Sequence, residues 1–67
     1  MYRVVRSDGK TNEGISVQRA CGEFYNLWYE LNRSYSTKVK IEQLENHIIW
    51  KFKYTTFNGW EYTISRF

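Results

Sequence analysis

The chain has 67 residues, a net charge of +3, one cysteine and one histidine. That length supports one core, and a single small core rarely supplies more than about 3–5 kcal/mol without a staple. The lone cysteine excludes an internal disulfide, and Cys21 with His47 falls short of a four-ligand zinc site. Stability must come from aromatic surface: three Trp, six Tyr and four Phe.

No run reaches the roughly 18 apolar residues of a membrane span, and the N-terminal stretch lacks a secretory apolar core. The expectation is one domain over 1–67, cytoplasmic and not membrane-bound, with no cofactor and no metal. Ten basic against seven acidic residues is a mild excess that tolerates polyanions without requiring them.

Tyr2 to Arg6 is a strand candidate, β-branched and aromatic. The following SDGKTNEG, Ser7 to Gly14, carries turn signals and has room for a short strand at Lys10 to Asn12. Ser16 to Tyr35 reads as one long helix. Val17, Ala20, Cys21, Phe24, Leu27, Trp28, Leu31 and Tyr35 recur at three- and four-residue steps. Ser16 is its N-cap, and Ile15 could staple onto Ala20. Arg19 with Glu23, and Glu30 with Arg33, could pair on the opposite face. Ser36 to Leu44 alternates: Val39 and Ile41 one way, Lys38, Lys40 and Glu42 the other. That reads as a strand, with Glu45-Asn46 as a two-residue turn.

The C-terminal IIWKFKYTTFNGWEYTISRF, Ile48 to Phe67, is a hairpin whose register the side chains select. A two-residue Asn58-Gly59 loop mixes polar and apolar faces. A three-residue loop, Phe57-Asn58-Gly59, pairs Thr56 with Trp60, Tyr54 with Tyr62 and Phe52 with Ile64 on the apolar face. The other face receives Thr55 with Glu61, Lys53 with Thr63 and Lys51 with Ser65. A one-residue slip would exchange the faces, so the sorting favours the longer loop. The predicted fold is α+β: one helix on one face of a mostly antiparallel sheet, in the order β-α-β-β-β, with a C-terminal three-stranded meander. The N-terminal strand would join an edge.

Two surfaces follow. Lys38, Lys40, Lys51 and Lys53 would face one another on the outer sheet, with Thr55, Thr63 and Ser65 as hydrogen-bond donors and Arg3 or Arg6 at the margin. Four such phosphate contacts would give a salt slope near about −3.6, at about −0.9 each. Glu42 and Glu61 border that patch and limit its footprint. The aromatics of this register point towards the helix and are not available for base stacking. Phe57 at the hairpin tip is an exception.

The second surface is a helix shoulder of Gln18, Gly22, Tyr25 and Tyr29. A glycine inside a helix costs about 1 kcal/mol against Ala, which close packing or an approaching chain would explain. Tyrosines are enriched at protein interfaces. Catalysis lacks a constellation: Cys21 lies on the buried stripe, His47 has no evident partner, and the glycines lack phosphate-loop spacing.

A composition rich in Tyr, Asn, Ile and Lys and free of Pro resembles small accessory proteins of phages and AT-rich bacteria. Two non-enzymatic readings stay open. One is a protein-interaction module, such as a phage-type inhibitor or regulator of a host protein, using Gln18, Gly22, Tyr25, Tyr29 and Phe57, with a homodimer also open to it. The other is a nucleic-acid-binding module using the lysine face. The first is favoured, because +3 with acidic borders is weak for a dedicated nucleic-acid binder.

Overall fold

A computed structural model describes residues 1–33, 35–46 and 51–67. The order is β1 (Tyr2–Arg6), β2 (Thr11–Gly14), α1 (Val17–Ala20), α2 (Tyr25–Arg33), α3 (Tyr35–Asn46), β3 (Lys51–Thr55) and β4 (Glu61–Arg66). One antiparallel sheet, ordered β2-β1-β4-β3, carries the helices on one face. The fold is thus α+β, as expected, with a different order of elements.

The C-terminal hairpin has the register that the side-chain sorting selected. Phe52 faces Ile64, Tyr54 faces Tyr62, Lys53 faces Thr63 and Lys51 faces Ser65. The Thr56 amide donates to the Trp60 carbonyl at 2.8 Å, and Gly59 closes the turn at φ 93°. Only a residue without Cβ adopts that conformation at no steric cost. The N-terminal hairpin repeats the design. Arg6 N–H donates to the Lys10 carbonyl at 2.8 Å, and Gly9 also sits at φ 93°. Because β1 and β4 run antiparallel side by side, with Arg6 opposite Tyr62, both three-residue turns lie at the same end of the sheet.

Five expectations are corrected. The N-terminal strand is central, flanked by β2 and β4 and antiparallel to both, so no parallel crossover exists. The second strand does form, but at Thr11–Gly14. The long helix is broken at Cys21 to Phe24, and Gly22 lies in that turn. Ser16 does cap α1, its hydroxyl accepting from the Arg19 amide at 3.2 Å, but Ile15 is 72% exposed and staples nothing.

The fifth correction is the largest. Tyr35–Asn46 is a helix, so the meander has no third strand, and Glu45-Asn46 belongs to that helix. The strand reading rested on Val39 and Ile41 sharing a face. Ile41 is buried at 9% exposure while Val39 is exposed at 37%. Positions two apart lie on the same face of a strand but about 200° apart on a helix. Lys, Glu, Gln and Leu, which fill this segment, are also good helix formers.

The core joins both layers: Tyr2, Val4, Tyr62 and Ile64 from the sheet meet Val17, Ala20, Cys21, Phe24, Leu27, Leu31 and Ile41 from the helical side. Phe24 meets Tyr62 edge-on, with ring centroids 5.2 Å apart. Gly14 lets β2 approach α1 closely, and the Asn12 side-chain amide donates to the carbonyls of Arg19 (3.2 Å) and Ala20 (3.0 Å). At the far end of α3, the Glu45 carboxylate accepts from the Val17 amide at 3.3 Å, tying α3 to α1.

Candidate interaction surfaces

The hairpin tip is the most exposed aromatic site among the described residues. The Phe57 side chain is presented on a turn and is 98% exposed. Its backbone is held. The Phe57 N–H donates to both oxygens of Glu30, at 2.9 Å to Oε1 and 3.2 Å to Oε2. The Tyr54 hydroxyl donates to the same Oε1 at 3.3 Å. Charge-assisted bonds of this kind are stronger than neutral ones. Burial and then the neighbouring Glu30 charge raise the Tyr54 phenol above its ordinary pKa, so it stays a donor. The Thr56 hydroxyl, 2% exposed, bonds Asn58 Oδ1 and the Trp60 carbonyl, which stiffens the tip from within. Glu30 therefore serves the turn, and the expected Glu30–Arg33 pair is replaced. The Arg33 guanidinium lies over the Tyr29 ring instead, 5.4 Å from its centroid.

The helix shoulder is split by the break in the helix. Gln18 and Gly22 line a shallow hollow with Ser16, Arg19 and Trp28. Gly22 meets no sheet residue; a Cβ there would come nearest the Arg19 carbonyl at 3.2 Å. Close helix–sheet approach occurs at Gly14 and not at Gly22. Tyr25 and Tyr29, 75% and 50% exposed, stack on each other one turn apart on α2, with centroids 6.0 Å apart. Glu30 is about 100° further round that helix, so the Tyr pair and the Phe57 tip lie on different flanks of α2.

The lysine face is reduced to half its expected size. Lys51, Lys53 and Thr55 lie on the outer face of β3, beside Thr63 and Ser65 on β4. Lys38 and Lys40 are on α3, so the sheet presents two lysines and not four. The Lys40 ammonium stands 5.7 Å from the centroid of Phe52, on the helix side of β3. Arg3 joins the outer face but is paired with Glu13 at 2.7 Å, and Lys53 is paired with Glu61 at 3.5 Å. Arg6 points the other way, into the helical layer. Its guanidinium lies 4.4 Å from the Trp60 centroid and 5.8 Å from that of Phe24. It also pairs with Asp8. The Arg6 side chain, and then the Lys10 amide, hold the Asp8 carboxyl down to about 2. This cluster staples the two turns together through Trp60, and no local pattern revealed it.

Cys21 is fully buried, and desolvation pushes its thiol up to about 12. A thiol-specific reagent at pH 8 is expected to leave the folded protein unmodified and to label one site per chain once urea unfolds it. Rapid labelling without denaturant would contradict the burial. His47 and residues 48–50 of the C-terminal stretch lie outside the described residues. Among the described residues no group of three or more His, Cys, Asp and Glu side chains could hold a metal ion. No described helix is long and apolar enough to cross a membrane. No family model matches the chain, and no curated protein or solved structure is detectably similar to it.

Proposed function

We propose that the chain is a non-enzymatic protein-interaction module that inhibits or regulates another protein, with the Phe57 tip as its anchor. One observation carries this reading: a fully exposed Phe stands on a turn whose backbone is clamped by Glu30. A mobile exposed ring loses conformational entropy on docking; a ring on a fixed turn loses less. Burying it in a partner's pocket returns about 1.5–3 kcal/mol. The stacked Tyr25 and Tyr29 offer a second contact area on the other flank of α2. The outer face of the strands sets three cations, Arg3, Lys51 and Lys53, against the carboxylates of Glu13 and Glu61, a small cationic footprint for a dedicated nucleic-acid binder.

The test is a photo-crosslinking residue at position 57, applied in a lysate of the cells that carry the protein, followed by affinity measurement on the captured partner. Phe57→Ser is expected to weaken binding about 10- to 100-fold while changing stability by less than about 0.5 kcal/mol. Equal binding by wild type and Phe57→Ser would remove the tip from the interface. Micromolar binding to generic DNA or RNA that is lost in Lys51→Glu/Lys53→Glu would replace the reading with the nucleic-acid one.

A further inference from the structure

The sheet has two outer strands, β2 and β3, and they differ in what they offer. In an antiparallel ladder, alternate residues bond to one neighbour and the residues between them point the other way. The Thr56–Trp60 bond fixes the phase for β3. Phe52 and Tyr54 exchange bonds with β4, so the N–H and C=O groups of Lys51, Lys53 and Thr55 point out of the sheet. The same reasoning from the Arg6–Lys10 bond leaves only Thr11 and Glu13 outward on β2. The β3 edge is therefore the longer one.

That edge is also cationic. Lys51 and Lys53 rise from it on the outer face, both exposed, and Lys40 stands beside Phe52 on the inner side. Lys53 holds Glu61 only loosely, at 3.5 Å with both side chains more than half exposed. Such pairs are worth about 0–1 kcal/mol and yield to a better partner. Phe52 and Tyr54, half-buried, leave ring surface on the inner face for apolar side chains of an added strand.

We infer that the β3 edge accepts an extended acidic segment of another protein as a fifth strand, with carboxylates at alternate positions facing Lys51 and Lys53 and apolar residues between them. A second copy of the chain is the poorer occupant, because antiparallel β3–β3 pairing sets lysine against lysine. The inference rests on the protein-interaction reading but not on Phe57.

The test uses two eight-residue peptides with blocked ends, one alternating Glu with Val and Thr, the other with Lys in place of Glu. Amide hydrogen exchange is followed residue by residue by NMR. In the free protein Lys51, Lys53 and Thr55 are expected to exchange fast while Phe52 and Tyr54 are protected. Saturating Glu peptide is expected to slow the three edge amides at least tenfold, with Thr11 and Glu13 unchanged. Lys51→Glu/Lys53→Glu is expected to reverse the preference between the peptides. Edge amides already protected in the free protein, equal protection by the Lys peptide, or no protection at millimolar peptide would each overturn the inference. Protection that rises with protein concentration alone would assign the edge to self-association and overturn it as well. Edge protection together with unchanged partner binding by Phe57→Ser would keep this site and discard the tip. A Phe57-dependent partner with no edge protection would do the reverse.

Discussion

Ile64→Ala is expected to leave a large fraction of molecules unfolded at 25 °C. Ile64 is fully buried on β4, one of the two central strands, with Val4 opposite on one side and Phe52 on the other. Truncation to Ala removes three buried carbons and leaves a cavity between neighbours on both flanking strands. Such changes cost about 2–5 kcal/mol. A core of this size supplies only about 3–5 kcal/mol in total, so the loss is comparable with the whole stability. Urea denaturation followed by tryptophan fluorescence measures it. Ile64→Val is expected to cost about 0.5–1.5 kcal/mol and to keep a cooperative transition. An Ala variant within 1 kcal/mol of wild type would mean that the sheet centre is not packed as described.

The second large effect is expected where two backbones meet. A Cβ at Gly14 would lie 2.6 Å from Arg19 Cβ and 2.9 Å from both Ala20 N and Arg19 C. Two of these three neighbours are main-chain atoms, so no rotamer change relieves the overlap. Gly14→Ala must push β2 off α1, stretching the two Asn12 bonds that join them. Overpacking of this kind costs about 1–3 kcal/mol. Gly22→Ala is the comparison. Its Cβ meets only the Arg19 carbonyl at 3.2 Å and the Gln18 carbonyl at 3.7 Å, so its cost should be the smaller of the two. Equal melting temperatures for Gly14→Ala and wild type would disprove the close approach.

The C-terminal hairpin was legible because its alternation is long and its polar and apolar residues differ sharply. Twelve side chains sort in only one register, which made Phe57 readable as a tip residue. The segment Tyr35–Asn46 was not legible as a helix, because two apolar residues two apart fit a short strand equally well. The break after Ala20 was hidden for a different reason. Val17, Ala20, Cys21, Phe24 and Leu27 keep helical spacing straight through the turn, and all are buried. Gly22 was the one local sign, and a glycine there fits close packing or an approaching chain on an unbroken helix equally well. β2 has no apolar alternation at all; its place comes from the Asp8-Gly9 turn and from Asn12 reaching α1. At the candidate site, the clamp on Phe57 joins residues 27 apart in sequence. No spacing rule reaches that far, so the sequence could expose the ring but not its support.

The sheet's central seam joins the beginning of the chain to its end: Tyr2 lies across from Arg66, and the Phe67 amide donates to the Met1 carbonyl at 2.9 Å. Each hairpin is local and can close in about 1–10 μs. Zipping β1 to β4 must instead draw together segments as far apart in sequence as Tyr2 and Arg66, at a higher loop-closure entropy than either hairpin. The β1–β4 seam is therefore a long-range contact that neither hairpin can make alone. A ribosome-tethered chain cannot complete its central strand pair until β4 has cleared the exit tunnel, and until then Val4 and the helical apolar surface wait for their cover.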